Sequence, residues 1–172
     1  MIMTKRFVIF ALLLMAAMGM QAQSLNGTWN TTVNNDGQNT DMYFIFSQSS
    51  LSIKGVVTQS EPEVGTFTIS ILVPGTYTRS GNKLNIKLKP EQGRVNIDKM
   101  VLNDELKKIL EEMPEMKKEL AKGLEQVLSE GKSELVKEFS ALSGDMNIES
   151  LTATKLILVD EGGGTLTFTR VR

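Results

Sequence analysis

The chain contains no histidine and no cysteine. That absence removes imidazole and thiol as nucleophile, base or metal ligand. Ser-His-Asp and Cys-His catalytic constellations are therefore impossible, and so are zinc sites of the usual Cys/His kind. Charge of either sign is nearly balanced, with 19 Lys+Arg against 20 Asp+Glu and a formal net of -1. Such a chain lacks the basic excess that a phosphate backbone demands, so no nucleic-acid partner is expected. No glycine-rich phosphate loop, nucleophile elbow or metal motif is present, so no cofactor and no metal are expected.

Only one long apolar run occurs. Lys5 and Arg6 precede the 12 residues Phe7 to Met18, and Gly19-Met20-Gln21-Ala22 supplies a small residue before a cut. This is the pattern of a cleavable secretory signal. A permanent span needs about 20 apolar residues, so an uncleaved anchor is the weaker alternative. Residues 1–22 are read as a signal peptide and 23–172 as one domain with no stable membrane anchor. No Cys follows the cut, which excludes a lipoprotein; the expected location is periplasmic or extracellular. Removing Lys5 and Arg6 leaves 17 basic and 20 acidic residues, a net of -3. A domain this size buries roughly 70% of its unfolded surface. Without disulfides, packing and hydrogen bonds must hold it.

Residues 25 to 100 carry a period of two. Leu25, Trp29 and Val33 alternate with polar residues, as do Phe67, Ile69, Ile71 and Val73, then Leu84, Ile86 and Leu88,. Asn34-Asn35-Asp36-Gly37, Ser47 to Ser50, Pro62 and Gly81-Asn82 read as turns. Pro74-Gly75 reads as a turn or bulge ahead of a short strand carrying Tyr77. Residues 103–142 differ: Leu106, Ile109, Leu110, Met113, Met116, Leu120, Leu124, Val127 and Leu128 recur at steps of three and four. Asn103 is the expected N-cap. Pro114 should kink this helix or start a second, and Gly131 should break it before a last helix capped by Ser133. This block holds 7 Lys and 10 acidic residues. Strands return with Ile148, Leu151 and Leu156 to Val159, a loop over Asp160 to Gly164, and Leu166, Phe168 and Arg170 on one face. The expectation is eight to ten strands in a mainly β, antiparallel up-and-down barrel with an inserted helical block before the last strands. Closure removes exposed edges; a two-sheet sandwich is the alternative.

Leu25-Asn26-Gly27-Thr28-Trp29 resembles the glycine-x-tryptophan signature of lipocalin-like barrels of the calycin group. Thr167-Phe168-Thr169-Arg170 is similar to their last strand, whose arginine packs over that tryptophan. Gly75-Thr76-Tyr77, Gly81 to Leu84 and Ile148 to Thr152 resemble small secreted lipocalin-like proteins of Gram-negative gut bacteria. The resemblance implies that Gly27, Trp29 and Arg170 close one barrel end. It implies no ligand site, and the chain lacks both the disulfide and the threonine-aspartate-tyrosine loop of animal lipocalins. The helical block is also out of place for that family, preceding the last strands instead of following the barrel.

A small hydrophobic ligand would then sit in the barrel, lined by Phe44, Phe46, Ile53, Phe67, Ile69, Ile71, Ile86, Leu88 and Phe168. Met113 and Met116 near the Pro114 kink are candidate adaptable contacts. Tyr77 and Arg79 share a parity and could supply a polar anchor, whereas Lys87 should face solvent. The helical stripe could cover the barrel, form a lid, or dock a partner. The alternative function is a non-enzymatic envelope or inhibitor module in which the barrel is filled and a protein partner binds outside. No catalytic residue is identified; Glu61 with Glu63, and Asp160 with Glu161, look like solvated turn carboxylates rather than an acid/base pair.

Overall fold

The computed structural model describes residues 24–35 and 38–172. The signal segment and the turn residues Asp36 and Gly37 lie outside the described residues, as do the side chains of Val127, Ser133 and Leu135. Among the described residues nine strands form one antiparallel sheet: β1 (Gly27–Asn35), β2 (Gln38–Ser47), β3 (Ser50–Glu61), β4 (Gly65–Ser80), β5 (Lys83–Leu88), β6 (Arg94–Leu102), β7 (Gly144–Leu151), β8 (Lys155–Asp160) and β9 (Thr165–Arg170). Eight of them close a ring, β1-β2-β3-β4-β5-β7-β8-β9, and β9 returns to β1 through Trp29↔Arg170 and Asn30↔Thr169. The architecture is thus a closed barrel and not a two-sheet sandwich. β6 stands outside the ring.

The placement of β6 follows from β4, whose 16 residues outrun its neighbours. Its first half pairs with β6, Gly65↔Leu102 to Leu72↔Arg94. Its second half pairs with β5, Gly75↔Leu88 to Ser80↔Lys83. Both partners use the same edge, so β3, β4 and β6 extend as a flap past the barrel mouth. Pro74-Gly75 does not end the strand as its composition suggested. The Pro74 carbonyl accepts the Lys89 N–H on that edge, so the missing proline N–H faces the gap where β4 changes neighbour. A strand tolerates proline where no ladder donor is required.

Bulges set two side chains. At Ile148/Ser150 the register slips by one residue, which brings both Ile148 and Leu151 to the inner face despite their odd spacing. At Thr68/Ile69 the extra residue is Asp98 on β6. The bulge turns its carboxylate outward, where the Ser70 hydroxyl donates to it at 2.8 Å and the Lys54 ammonium stands 3.5 Å away. Ser70 is buried, so this bond satisfies it,.

The inserted helices are α1 (Asp104–Glu112) and α2 (Pro114–Ser140). Asn103 caps α1 by accepting the Leu106 N–H at 2.7 Å, and its amide donates to the Pro62 carbonyl at 3.0 Å. Asp104 and Glu105 occupy the first turn, where the dipole favours them,. Pro114 starts the second helix at its first position,. Gly131 does not break α2, which runs 27 residues without interruption. One glycine costs a helix only about 1 kcal/mol, less than the packing at its C-terminal end supplies. Since Asn103 joins the cap to the β3–β4 loop, Asn103→Ala should lower stability by about 1–2 kcal/mol, read as a fall in urea midpoint with an unchanged slope.

Candidate functional site

Reading across the inner face explains where the barrel is full and where it is open. Trp29, Phe44, Ile53 and Val73 face one another across β1 to β4, and all four are fully buried. Toward the base, Phe46 meets Tyr77 edge-on at 5.0 Å between centroids, and Phe44 meets Phe168 at 4.7 Å. Leu84, Ile86, Leu156 and Leu158 fill the opposite wall. This half of the barrel is a packed apolar core.

At that base, the Arg170 guanidinium lies over the Trp29 ring at 4.4 Å. The guanidinium donates to the Ser24 carbonyl at 2.8 Å, and the indole N–H donates to the Leu25 carbonyl at 2.7 Å. Gly27 has φ 127 and lies under the same guanidinium; a side chain there would be strained. The stacked pose leaves Arg170 Nε buried without a hydrogen-bond partner, a local cost that the cation-π contact must offset. Gly27, Trp29 and Arg170 are therefore brought together at the closed end.

One level above the aromatic floor, Met42, Gly55 and Ile71 share a row. Above that come Val33, Thr40, Val57 and Ile69, again facing one another across four strands. These upper side chains are only half-buried, and between them and the end of α2 lies a half-open cavity of about 410 Å³. Glu138 and Phe139 of α2, Leu142 after it, and Gln59 of β3 complete the wall. The volume falls within the range of small-ligand sites, ~300–1,000 Å³.

Glycine positions the helical wall. A side chain on Gly55 would overlap the Phe139 ring, which rests directly on the strand backbone. Val136 lies in the same way against Gly93, 2.8 Å from where a β-carbon would stand. Val136 also packs with Ile71 and Val73 in a second apolar cluster. The helix end is thus seated in two gaps of the sheet.

The sequence-based candidates separate accordingly. Ile69 and Ile71 line the cavity. Phe44, Phe46, Ile53, Ile86 and Phe168 lie in the filled half, Leu88 packs against both apolar clusters, and Phe67 is half-buried on the flap. Met113 and Met116 are 54% and 45% exposed and take no part in the cavity. Tyr77 is buried toward the base, where desolvation holds its phenol above the ordinary value and nearby Arg79 partly offsets that rise. Arg79 is exposed beyond it and donates to the Gly81 carbonyl, so the pair does not face the mouth. Lys87 faces solvent.

Val33, Thr40, Met42, Val57, Gln59, Glu138, Phe139 and Leu142 were not among the candidates. A signal existed: Thr40 and Gln59 are polar residues on core parity near strand ends, which marks a mouth rather than a core.

Beside the cavity, sharing Leu142, lies a second hollow of about 430 Å³ lined in part by Asp145, Asp160 and Glu161. Asp160 braces its own hairpin, accepting the Gly164 N–H at 2.7 Å. Glu61 and Glu63 are exposed at the β3–β4 tip. Among the described residues no three His, Cys, Asp or Glu side chains gather to hold a metal, and no helix is long and apolar enough to cross a membrane. Compared with known proteins, the chain matches no family model, and no curated protein matches it.

Proposed function

We propose that this protein is an exported, non-enzymatic lipocalin-like carrier that binds one small hydrophobic molecule at the barrel mouth. The observation that supports it is the 410 Å³ cavity, walled mainly by Val33, Val57, Ile69, Ile71, Phe139 and Leu142. Apolar walls with a few polar groups are the usual make-up of small-ligand sites. The tryptophan-arginine closure of the base supports the lipocalin-like assignment. The signal-like segment Lys5 to Ala22 supports export to the periplasm or beyond. The bacterial origin rests on the resemblance of the short motifs alone.

Binding of the neutral fluorophore N-phenyl-1-naphthylamine tests the carrier. The wild-type protein should enhance its emission saturably. Ile69→Trp, which fills the half-buried wall with a larger ring, should weaken binding at least about tenfold, near 1.4 kcal/mol, while the circular dichroism stays that of the barrel. Native mass spectrometry before and after organic extraction would identify a resident ligand.

One observation favours a second reading, a filled barrel that contacts a protein through its helices. Ile109, Met113 and Met116 form exposed apolar surface on the helical block,. Failure of the fluorophore to bind would shift the assignment to that module.

A further inference from the structure

We infer that the mouth cavity selects amphiphiles with a cationic head, of the alkylammonium class, and disfavours fatty-acid carboxylates. The inference rests on the carrier reading of the same cavity.

Among the described residues Glu138 is the one charged side chain lining the cavity, and no described Lys or Arg lines either this cavity or the adjoining hollow. The Glu138 carboxylate makes no ion pair among the described residues. It stands one residue before Phe139, whose ring is seated on Gly55, and it is the exposed, charged part of a wall that is otherwise mainly apolar. Across the shared Leu142, Asp145, Asp160 and Glu161 add negative charge. Asp145 accepts from the Asn85 amide and Asp160 from its own hairpin, and neither forms an ion pair among the described residues.

An apolar tail lying against Val57 and Ile69, paired on one wall, would leave its head near Glu138. A carboxylate head would meet like charge in a partly water-excluded mouth, with no guanidinium or ammonium among the described lining residues to receive it. An ammonium head would find a counter-ion there. The wall polar groups, Thr40 and Gln59, can accept a hydrogen bond from such a head as well. Close opposite charges at a protein surface attract appreciably more strongly than in bulk water, so head-group charge should dominate among ligands of equal tail.

Displacement of N-phenyl-1-naphthylamine by decylamine, decanol and decanoate at pH 7 and low salt tests the inference. Decylamine should bind at least about tenfold tighter than decanoate, with decanol between them, and added salt should narrow the gap. Glu138→Gln should reduce the advantage of decylamine over both decanol and decanoate. Glu149→Gln, which makes the same change of net charge on an exposed residue of β7, should leave the order intact. Equal binding of decylamine and decanoate, or an order indifferent to Glu138→Gln, would overturn the inference while the carrier reading stands. If neither the fluorophore nor decanol binds, the carrier reading itself fails and takes the inference with it.

Discussion

Trp29→Ala should be the most damaging single truncation in the barrel, lowering stability by about 3–5 kcal/mol. Trp29 is fully buried and sits at three junctions at once. It pairs with Phe44 on β2 and with Arg170 on β9, and its indole N–H satisfies the Leu25 carbonyl. Its removal leaves a cavity above the base and an uncovered guanidinium whose Nε already lacks a partner. Net stabilities of such domains are about 5–15 kcal/mol, so this loss is a large fraction of the total. Near 2–4 °C per kcal/mol for a chain of this size, the thermal midpoint should fall by roughly 6–20 °C. Circular dichroism must be the probe, because Trp29 is the sole tryptophan. Arg170→Met keeps much of the apolar stem but removes the charged head, with both its stacking on Trp29 and its bond to the Ser24 carbonyl, so it should cost about 1–3 kcal/mol. A Trp29→Ala midpoint within 2 °C of wild type would show that β1 and β9 are closed by other contacts.

The same residues show why some features were legible in the chain and others were not. Alternation along a single strand assigns inner and outer faces locally, which is why Leu84, Ile86 and Phe168 could be placed inward from sequence. The Asn103 cap and the three-four spacing after it are local too. Whether the barrel is hollow depends on which residues of different strands share one level. That is a matter of register across β1, β2, β3, β4 and β9, and no single strand carries it. Phe44 and Phe168 lie 124 positions apart in sequence yet stand 4.7 Å apart as rings, so residues placed around a cavity instead fill the space. β6 escaped the meander for a similar reason: its partner is the far half of a strand that composition divides at Pro74. Thr40 and Gln59 carry a local signal, polar side chains on core parity near strand ends, but only the register gathers them at one end with Val57 and Ile69.

Gly55→Val is the second large perturbation, and its effect should fall on the helix and the cavity rather than on the barrel. The Phe139 ring occupies the space of any side chain at position 55. Because the obstacle is an aromatic ring and the strand backbone is held by Met42 and Ile71 on either side, the ring must leave. Valine itself suits a strand and would cover part of the same floor, so barrel stability should change by less than about 1.5 kcal/mol. The end of α2 would then rest mainly on Val136, seated at Gly93 and packed against Ile71 and Val73. Amide exchange over residues 132–140 should accelerate by at least about tenfold, a loss near 1.4 kcal/mol of local protection, while the amides of β1, β2 and β9 keep theirs. Binding of the neutral fluorophore should weaken with it, because Phe139 and Leu142 form the helical wall of the cavity. Phe139→Ala should reproduce both effects without touching the sheet. The double variant should be little worse than either single one, since both remove the same contact; the coupling between touching residues is commonly about 0.5–3 kcal/mol. Unchanged exchange over 132–140 in Gly55→Val would mean that α2 is seated by Val136 and the preceding turn, and Phe139 would then be a wall of the cavity without being the latch that holds the wall in place.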